Sequence, residues 1–383
     1  MADDYLWIET ADALSAVCTQ LGTAEWLALD TEFMRERTYY PQLCLVQLAT
    51  PEVIACVDVL AIPTLDPLLA LLNDTHILKV LHSARQDLEM FFHLSGRVPA
   101  PLFDTQLAAS FAGFPDQAGY ATVVQGLLGV NLEKSHTRAD WTRRPLSPAV
   151  RQYAADDVHY LREIYPLLQH KLESQHRLDW LKSETERLAD PATYRPDPDS
   201  AWQRLRGLQR LKPRQLAAAK ALAAWRERTA MQNNLPRQWV LKDEVLADLA
   251  KQLPASSDAL HGIRGLPESV AHKHGEEWLA LINGAHGDAR PASPPPRLSA
   301  TQEALVDALM AVVRLRGAAA NVSPAQLATR NELEQLVRGE RNVPVLQDWR
   351  LETAGRALLE FLETKTMLTV KDNDLEIQPR KEM

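Results

Sequence analysis

Alternation of apolar and polar side chains marks the first strong element. In WLALDTEF (26–33), Leu27, Leu29, Thr31 and Phe33 fall on one side, and Ala28, Asp30 and Glu32 on the other, the period-two pattern of a strand. Two further runs rich in strand formers, LCLVQLA (43–49) and VIACVDV (53–59), are separated by Thr50-Pro51-Glu52, so the three segments predict a meander. LDPLLALLND (65–74) then takes helical spacing, ILKVL (77–81) reads as a buried strand, and ARQDLEMFFHL (84–94) as another helix. From about residue 104 the pattern is helical, through ATVVQGLLGV (121–130) and the stretch from Pro148 to Leu188, with Pro148 suited to a first turn. The sheet is therefore expected within the first hundred residues, in an α/β layer arrangement.

Two proline-rich breaks follow, DPATYRPDPDS (190–200) and NGAHGDARPASPPPRLS (283–299), with the look of inter-domain linkers. They predict an α/β domain over 1–190 and two small all-α pieces over 201–283 and 298–375. The two pieces align weakly at a shift of 88: Lys242-Asp243-Glu244-Val245 falls on Arg330-Asn331-Glu332-Leu333, and Leu249 on Val337. Any two amphipathic helices could align as well. A chain of 383 residues exceeds what one core usually organises, in keeping with several domains.

Composition narrows the class. The apolar fraction of 46% and charged fraction of 24% are those of a globular protein, and no apolar run reaches the roughly 18 residues of a membrane span. The acidic start MADDYLWIET does not resemble a signal peptide, so a cytoplasmic location and no membrane partner are expected. Cys18, Cys44 and Cys56 match neither a zinc ribbon nor a disulfide framework and read as buried small hydrophobes. The net charge of −8 excludes a uniformly basic coat protein, although Trp202 to Arg228 holds eight bases against one acid, Glu227. Such a run is a solvated helix face or a strip for an anionic partner.

Asp30 and Glu32 project together from what should be a central strand, where paired acids repel and resist desolvation unless a cation joins them. The alternative is an exposed edge strand with two solvated acids. Asp87 sits where a strand hands over to a helix whose Leu88, Phe91 and Phe92 point at the sheet; alone, it reads more readily as a surface helix acid. Tyr153 and Asp157 share a helical face one turn apart, whereas Asp156 lies about 100° around the helix.

Taken together, Asp-x-Glu on a strand, an Asp at a strand-to-helix junction and Tyr-x-x-x-Asp on a later helix resemble the three motifs of the four-carboxylate exonucleases, in the tyrosine form. The pattern is most similar to ribonuclease D. LALDTEFMRERTYYPQLCLVQLA, LHSARQDLEMF, the loop LEKSHTRADWTRRPLS and YAADDVHYLREIY carry the likeness. RQWVLKDEVLADLAKQLP resembles the signature helix of the helicase-and-RNase-D (HRDC) module, and QLATRNELEQLVRGERNVPVL departs further from it. The resemblance implies a ribonuclease H-like exonuclease domain with a mixed sheet flanked by helices, then two HRDC-like modules. It implies a 3′-to-5′ exoribonuclease that releases 5′-mononucleotides from single-stranded RNA ends, with precursor tRNAs as substrate and no organic cofactor.

The chemistry fits that implication. An anionic phosphodiester resists nucleophiles, and carboxylates are ligands for hard cations such as Mg²⁺ or Mn²⁺, which in two-ion sites stand about 3.5–4 Å apart. By resemblance, Asp30 bridges two divalent cations, Glu32 and Asp157 complete the first, Asp87 holds the second through water, and Tyr153 orients the attacking water. A phenol with an ordinary pKa near 10 is a poor base at neutral pH, so hydrogen bonding is the expected role. Arg143 and Arg144, with Lys134 and Arg138, are expected to clamp phosphates or to form a charged loop. Gln47 is either a terminal-nucleotide contact or a hydrogen-bonded core glutamine. Asp104 reads as a helix cap, and His272 and His274 as a solvated helix end rather than metal ligands. Two other functions are compatible with these residues: a single-stranded DNA exonuclease, and a nucleic-acid-binding adaptor with an inert nuclease domain.

Overall fold

A computed structural model describes residues 5–132, 139–286 and 296–380. The chain forms two compact units, one of residues 1–32, 43–193 and 297–383, the other of residues 33–42 and 194–296.

In the first unit six strands form one sheet: β1 (Leu6–Ile8), β2 (Trp26–Met34), β3 (Gln42–Ala49), β4 (Ile54–Val57), β5 (Leu78–Leu81) and β6 (Leu102–Asp104). Their order is β1-β4-β3-β2-β5-β6, so β2, β3 and β4 are neighbours as a meander requires and β2 is internal. The sheet is mixed: β3 runs antiparallel to β4, while β1 with β4, β2 with β5 and β5 with β6 are parallel. β1 and β6, three residues each, carry too little periodicity to be legible, and β6 carries the sheet just past the hundredth residue. β5 holds a fully buried Lys79, whose Nζ donates to the carbonyls of Asp74, Ile77 and Ala100 at 2.6 Å each. Three acceptors offset much of the cost of burying its charge.

Helices α1 (Ala11–Leu21), α2 (Asp66–Leu72), α3 (Arg85–Ser95), α4 (Thr105–Phe111), α5 (Tyr120–Leu128), α6 (Pro148–Ser174) and α7 (Leu178–Leu188) accompany the sheet. The apolar stripe of α6, including Ala155, Val158, Leu161 and Ile164, shares a core with Ala28, Ala49, Cys56 and Val80 of the sheet. Asp104 caps α4 as expected, accepting from Gln106 N at 2.8 Å and Leu107 N at 3.2 Å. It also accepts from Ser83 N and Ala84 N, which ties the turn after β5 to the start of α4. All three cysteines are buried, and none forms a disulfide.

The second unit is built on α8 (Pro213–Asn233), α9 (Arg237–Val240), α10 (Asp243–Gln252), α11 (Ser257–His261) and α12 (Glu268–Asn283). Leu216, Leu222, Leu246, Leu249, Trp278 and Ile282 form its core. The basic run is not one solvated face. Arg204, Arg206, Arg210, Lys212 and Arg214 are exposed, but Arg226 is buried, its Nη1 bonded to Asp243 at 2.6 Å, and Glu227 is buried beside it.

Residues 297–380 return to the first unit as α13 (Ala300–Ala320), α14 (Pro324–Leu327), α15 (Arg330–Val337) and short helical turns up to Leu362. The helix starts at 213, 237 and 243 recur at 300, 324 and 330, an offset of 87 rather than 88. At that offset the buried Leu246 and Leu249 fall on the buried Leu333 and Leu336. Both long helices end on a left-handed asparagine, Asn234 and Asn321, each with φ of 49°. The piece is not purely α-helical: β7 (Thr366–Lys371) and β8 (Asp374–Pro379) close it as an antiparallel hairpin. Asp372 and Asn373, both at positive φ, supply the two-residue turn that matches strand twist. Trp349 stacks on Trp180 of α7 at 4.6 Å, and Glu184 of α7 accepts from Trp349 Nε1 at 3.0 Å and from Arg350. Among the described residues no helix is long and apolar enough to cross a membrane.

Candidate active site and metal centre

β2 carries Asp30 and Glu32 near its end, and α6 brings Asp157 across to them. One carboxylate oxygen from each of the three lies within 4.8 Å of the others, so a single cation could be held by all three. The internal place of β2 makes this costly without such an ion. Burial and then the charge of Asp157 push Asp30 well above the usual carboxylate range. Burial, then Asp30, Asp157 and Asp87, push Glu32 up to about 9. Asp157 rises to about 7 by burial and then the neighbouring Asp156. Asp156 itself turns aside and accepts from Gln152 Nε2 at 2.9 Å.

Asp87 lies in the first turn of α3, buried, and accepts from Thr31 Oγ1 of β2. It stands outside the group of three but close enough that Asp30, after burial, helps push it up to about 8. Among the described residues no Lys or Arg ion-pairs with any of the four acids. Oxygen-only donors, largely shielded from solvent and mutually repelling without a basic partner, are the chemistry that a hard divalent cation completes. The residues present therefore fit such an ion.

Tyr153 sits one turn before Asp157 on α6, its ring 6.3 Å from the buried Trp141. Burial, followed by the charges of Asp157, Glu32 and Asp30, holds its phenol above the ordinary value, so it stays protonated at neutral pH. Tyr120, at the first position of α5, has no counterpart in the sequence reading. Its hydroxyl donates to the backbone carbonyl of Asp157, and its ring meets His82 edge-on at 5.4 Å. A lone tyrosine after Gly119 carries no periodic or spacing signal, which is why the motif pattern passes over it.

The five residues considered for RNA contact fall differently. Arg144 cannot be a free phosphate clamp. Its Nε and Nη2 grip Asp58 at 2.6 and 2.7 Å, and its other N–H groups go to the carbonyls of Cys44, Trp141 and Arg143. With all five donors used, it anchors the loop before α6 to β3 and the end of β4. Arg143 is exposed. Gln47, paired with Cys56 across β3 and β4, is fully buried, and neither side-chain amide atom has a hydrogen-bond partner among the described residues. The expectation of a hydrogen-bonded core glutamine is not met. Lys134 and Arg138 lie outside the described residues. His274 packs against Trp225 and Trp278 rather than in a ligand cluster; Asp30, Glu32 and Asp157 are the one potential metal-binding group among the described residues.

Comparison with known proteins identifies two domains in the chain. A family described as 3′-5′ exonuclease matches residues 5–173, and the HRDC domain matches residues 215–282. Ribonuclease D of Gluconacetobacter diazotrophicus is 42% identical over 96% of this chain and 95% of its own. That of Acidiphilium cryptum is also 42% identical, over 97% and 96%. Among solved structures, Escherichia coli RNase D, described as an exoribonuclease involved in structured RNA processing, superposes with a TM-score of 0.81 at 34% identity, covering 94% of this chain and 98% of that one. The catalytic core of RRP6 from Trypanosoma brucei gives 0.58 at 25% identity, over 75% and 80%.

Proposed function

This chain belongs to the ribonuclease D family, and on that premise we propose that it removes nucleotides one at a time from RNA 3′ ends at the site formed by Asp30, Glu32, Asp87, Tyr153 and Asp157. The observation that carries the proposal is the meeting of three partly buried carboxylates, two from an internal strand and one from a distant helix, within 4.8 Å of one another. The activity is that of a 3′-5′ exoribonuclease, and its family depends on divalent metal ions. We assign two ions of Mg²⁺ or Mn²⁺: Asp30, Glu32 and Asp157 would hold one, and Asp87 with Asp30 would hold the other.

When bound, such ions neutralise phosphodiester charge and ease attack by water. The chain's own residues do the rest. The carboxylates fix where the scissile phosphate can sit, because only ionised acids can share the site with cations. The Tyr153 phenol, kept protonated, donates a hydrogen bond that orients water instead of taking its proton. Tyr120 holds the backbone of the α6 turn that bears Asp157. Arg144 secures the loop leading into α6 and Gln47 is enclosed in the sheet, leaving Arg143 and Lys134 as the remaining RNA contacts of this reading.

We divide the chain into a catalytic domain over 1–190 and modules over 201–283 and 298–375. The first module is assigned to RNA capture, on the strength of exposed Arg204, Arg206, Arg210, Lys212 and Arg214. The second, which shares a core with α6 and α7, is assigned a bracing role. Trimming of precursor-tRNA 3′ trailers in the cytoplasm is the biological task we propose.

The test is digestion of matched 5′-labelled single-stranded RNA and DNA oligonucleotides in Mg²⁺. A ladder shortening from the 3′ end, with RNA preferred and 5′-mononucleotides released, is expected. Equal or faster DNA digestion would move the assignment to a DNA exonuclease, and RNA binding without turnover to an adaptor.

A further inference from the structure

After Glu32 the chain leaves the first unit. Residues 33–42, FMRERTYYPQ, belong to the second unit, together with α8 and α9. What holds them there is a buried polar cluster. Tyr39 is almost fully buried, and its hydroxyl donates to Glu227 Oε1 at 2.5 Å. Arg237 grips the same carboxylate with two bonds, Nε to Oε2 at 2.5 Å and Nη2 to Oε1 at 2.7 Å. Arg237 also donates to the Tyr39 hydroxyl at 3.0 Å, and its guanidinium lies 4.5 Å from the centre of the Tyr39 ring. Arg204 reaches Glu227 at 3.3 Å, and Tyr40 N donates to Asn234 Oδ1 at 3.0 Å. Burial pulls the Glu227 carboxyl up, but the bonds from Arg237 and Tyr39 pull it further down, so it stays ionised.

Such a cluster is more than packing requires. A buried carboxylate met by a bidentate arginine and a phenol is geometrically specific, and it fixes one backbone path for the segment that carries Tyr39. That segment continues β2, which ends at Met34, so only residues 35–38 separate the strand's end from the buried tyrosine. Glu32 stands near that end, two residues short of Met34, and shares one oxygen cluster with Asp30 and Asp157. A ligand on a loosely tethered strand end must be ordered when an ion binds, and the ordering cost weakens the site.

We propose that the Tyr39–Glu227–Arg237 cluster is a positioning device through which the first helical module fixes the strand bearing Asp30 and Glu32 for divalent-cation capture. The inference rests on the metal reading given above. It makes the module a determinant of ion affinity as well as of RNA binding. None of the three residues touches substrate or ion; they act through the strand.

The experiment is calorimetric titration of Mn²⁺ into the full-length, chelator-treated protein, in the wild type and in Tyr39→Phe, Glu227→Gln and their double variant. Thermal unfolding is recorded for each. Lys220→Ala, which removes only the cation over the Trp202 ring in the same unit, is the control. Each single variant is expected to weaken Mn²⁺ by about 10-fold, as loss of an outer supporting group does, with the double no worse than the weaker single. Lys220→Ala is expected to match the wild type. Folded Tyr39→Phe and Glu227→Gln proteins with unchanged Mn²⁺ affinity overturn the coupling and leave the cluster a support of the module alone. If Glu227→Gln does not fold, Tyr39→Phe, which keeps the ring and the Arg237–Glu227 pair, decides the matter. A wild type that takes up no Mn²⁺ overturns the metal reading and the coupling with it.

Discussion

Asp30→Ala and Asp157→Ala are each expected to lower the rate of RNA hydrolysis by about 1000-fold or more, a barrier increase of roughly 4 kcal/mol, while RNA affinity changes little. The two residues come from β2 and α6 and share one oxygen cluster with Glu32. Losing either leaves two carboxylates where three are needed, and the remaining oxygens cannot enclose a cation that must be stripped of much of its water. Affinity should hold because removing a carboxylate lessens repulsion toward an anionic chain and takes away no contact to it. Tyr153→Phe is expected to cost less, about 10- to 100-fold, since the ring stays beside Trp141 and only the hydroxyl is lost. Single-turnover digestion with filter-binding affinities separates these effects. Near-normal rates for Asp30→Ala in Mg²⁺ would remove the assignment, and a Tyr153→Phe loss equal to that of Asp30→Ala would require a proton-transfer role for the phenol.

The second large effect is on stability, and metal suppresses it. In the ion-free protein Glu32 is raised to about 9, Asp87 to about 8 and Asp157 to about 7, in each case chiefly by burial. The same groups in the unfolded chain titrate near 4, so between roughly pH 4 and pH 9 the folded state binds more protons than the unfolded one. Stability then falls as pH rises through that window, because each proton lost leaves an uncompensated buried charge. With a chelator present, the unfolding temperature is expected to drop steadily from pH 5 to pH 9. Saturating Mn²⁺ replaces those protons, so it should raise the unfolding temperature most at the alkaline end and flatten the slope. Scanning calorimetry across that range, with and without Mn²⁺, checks this. An unfolding temperature that rises with pH in chelator, or ignores Mn²⁺ at pH 8, contradicts it.

The parts of the site visible in the sequence are those with local periodicity. Alternation along residues 26–33 places Asp30 and Glu32 on one side of a strand, and the four-residue step from Tyr153 to Asp157 places both on one helical face; the fold keeps both relations. What stays hidden depends on partners far away in the chain. Arg144 looks like a free cation until Asp58 is seen beside it. Arg226 and Glu227 belong to an apparently solvated basic run, yet Asp243, Tyr39 and Arg237 allow them to be buried. Nothing in FMRERTYYPQ says that it leaves one unit for another, since its anchor, Glu227, lies nearly two hundred residues away. The closing hairpin escapes for a different reason. Its strands are short, solvent-facing on much of their surface and follow a long helical stretch. The repeat between the two helical pieces is visible but misplaced by one residue, because matching charges and hydrophobes by type does not fix helical register.

Crystals soaked in Mn²⁺ and measured for anomalous scattering test the central claim most directly. The expected result is a strong peak enclosed by the carboxylate oxygens of Asp30, Glu32 and Asp157, with a second peak beside Asp30 toward Asp87. Well-ordered carboxylates with no anomalous density between Asp30, Glu32 and Asp157 at saturating Mn²⁺ would contradict it.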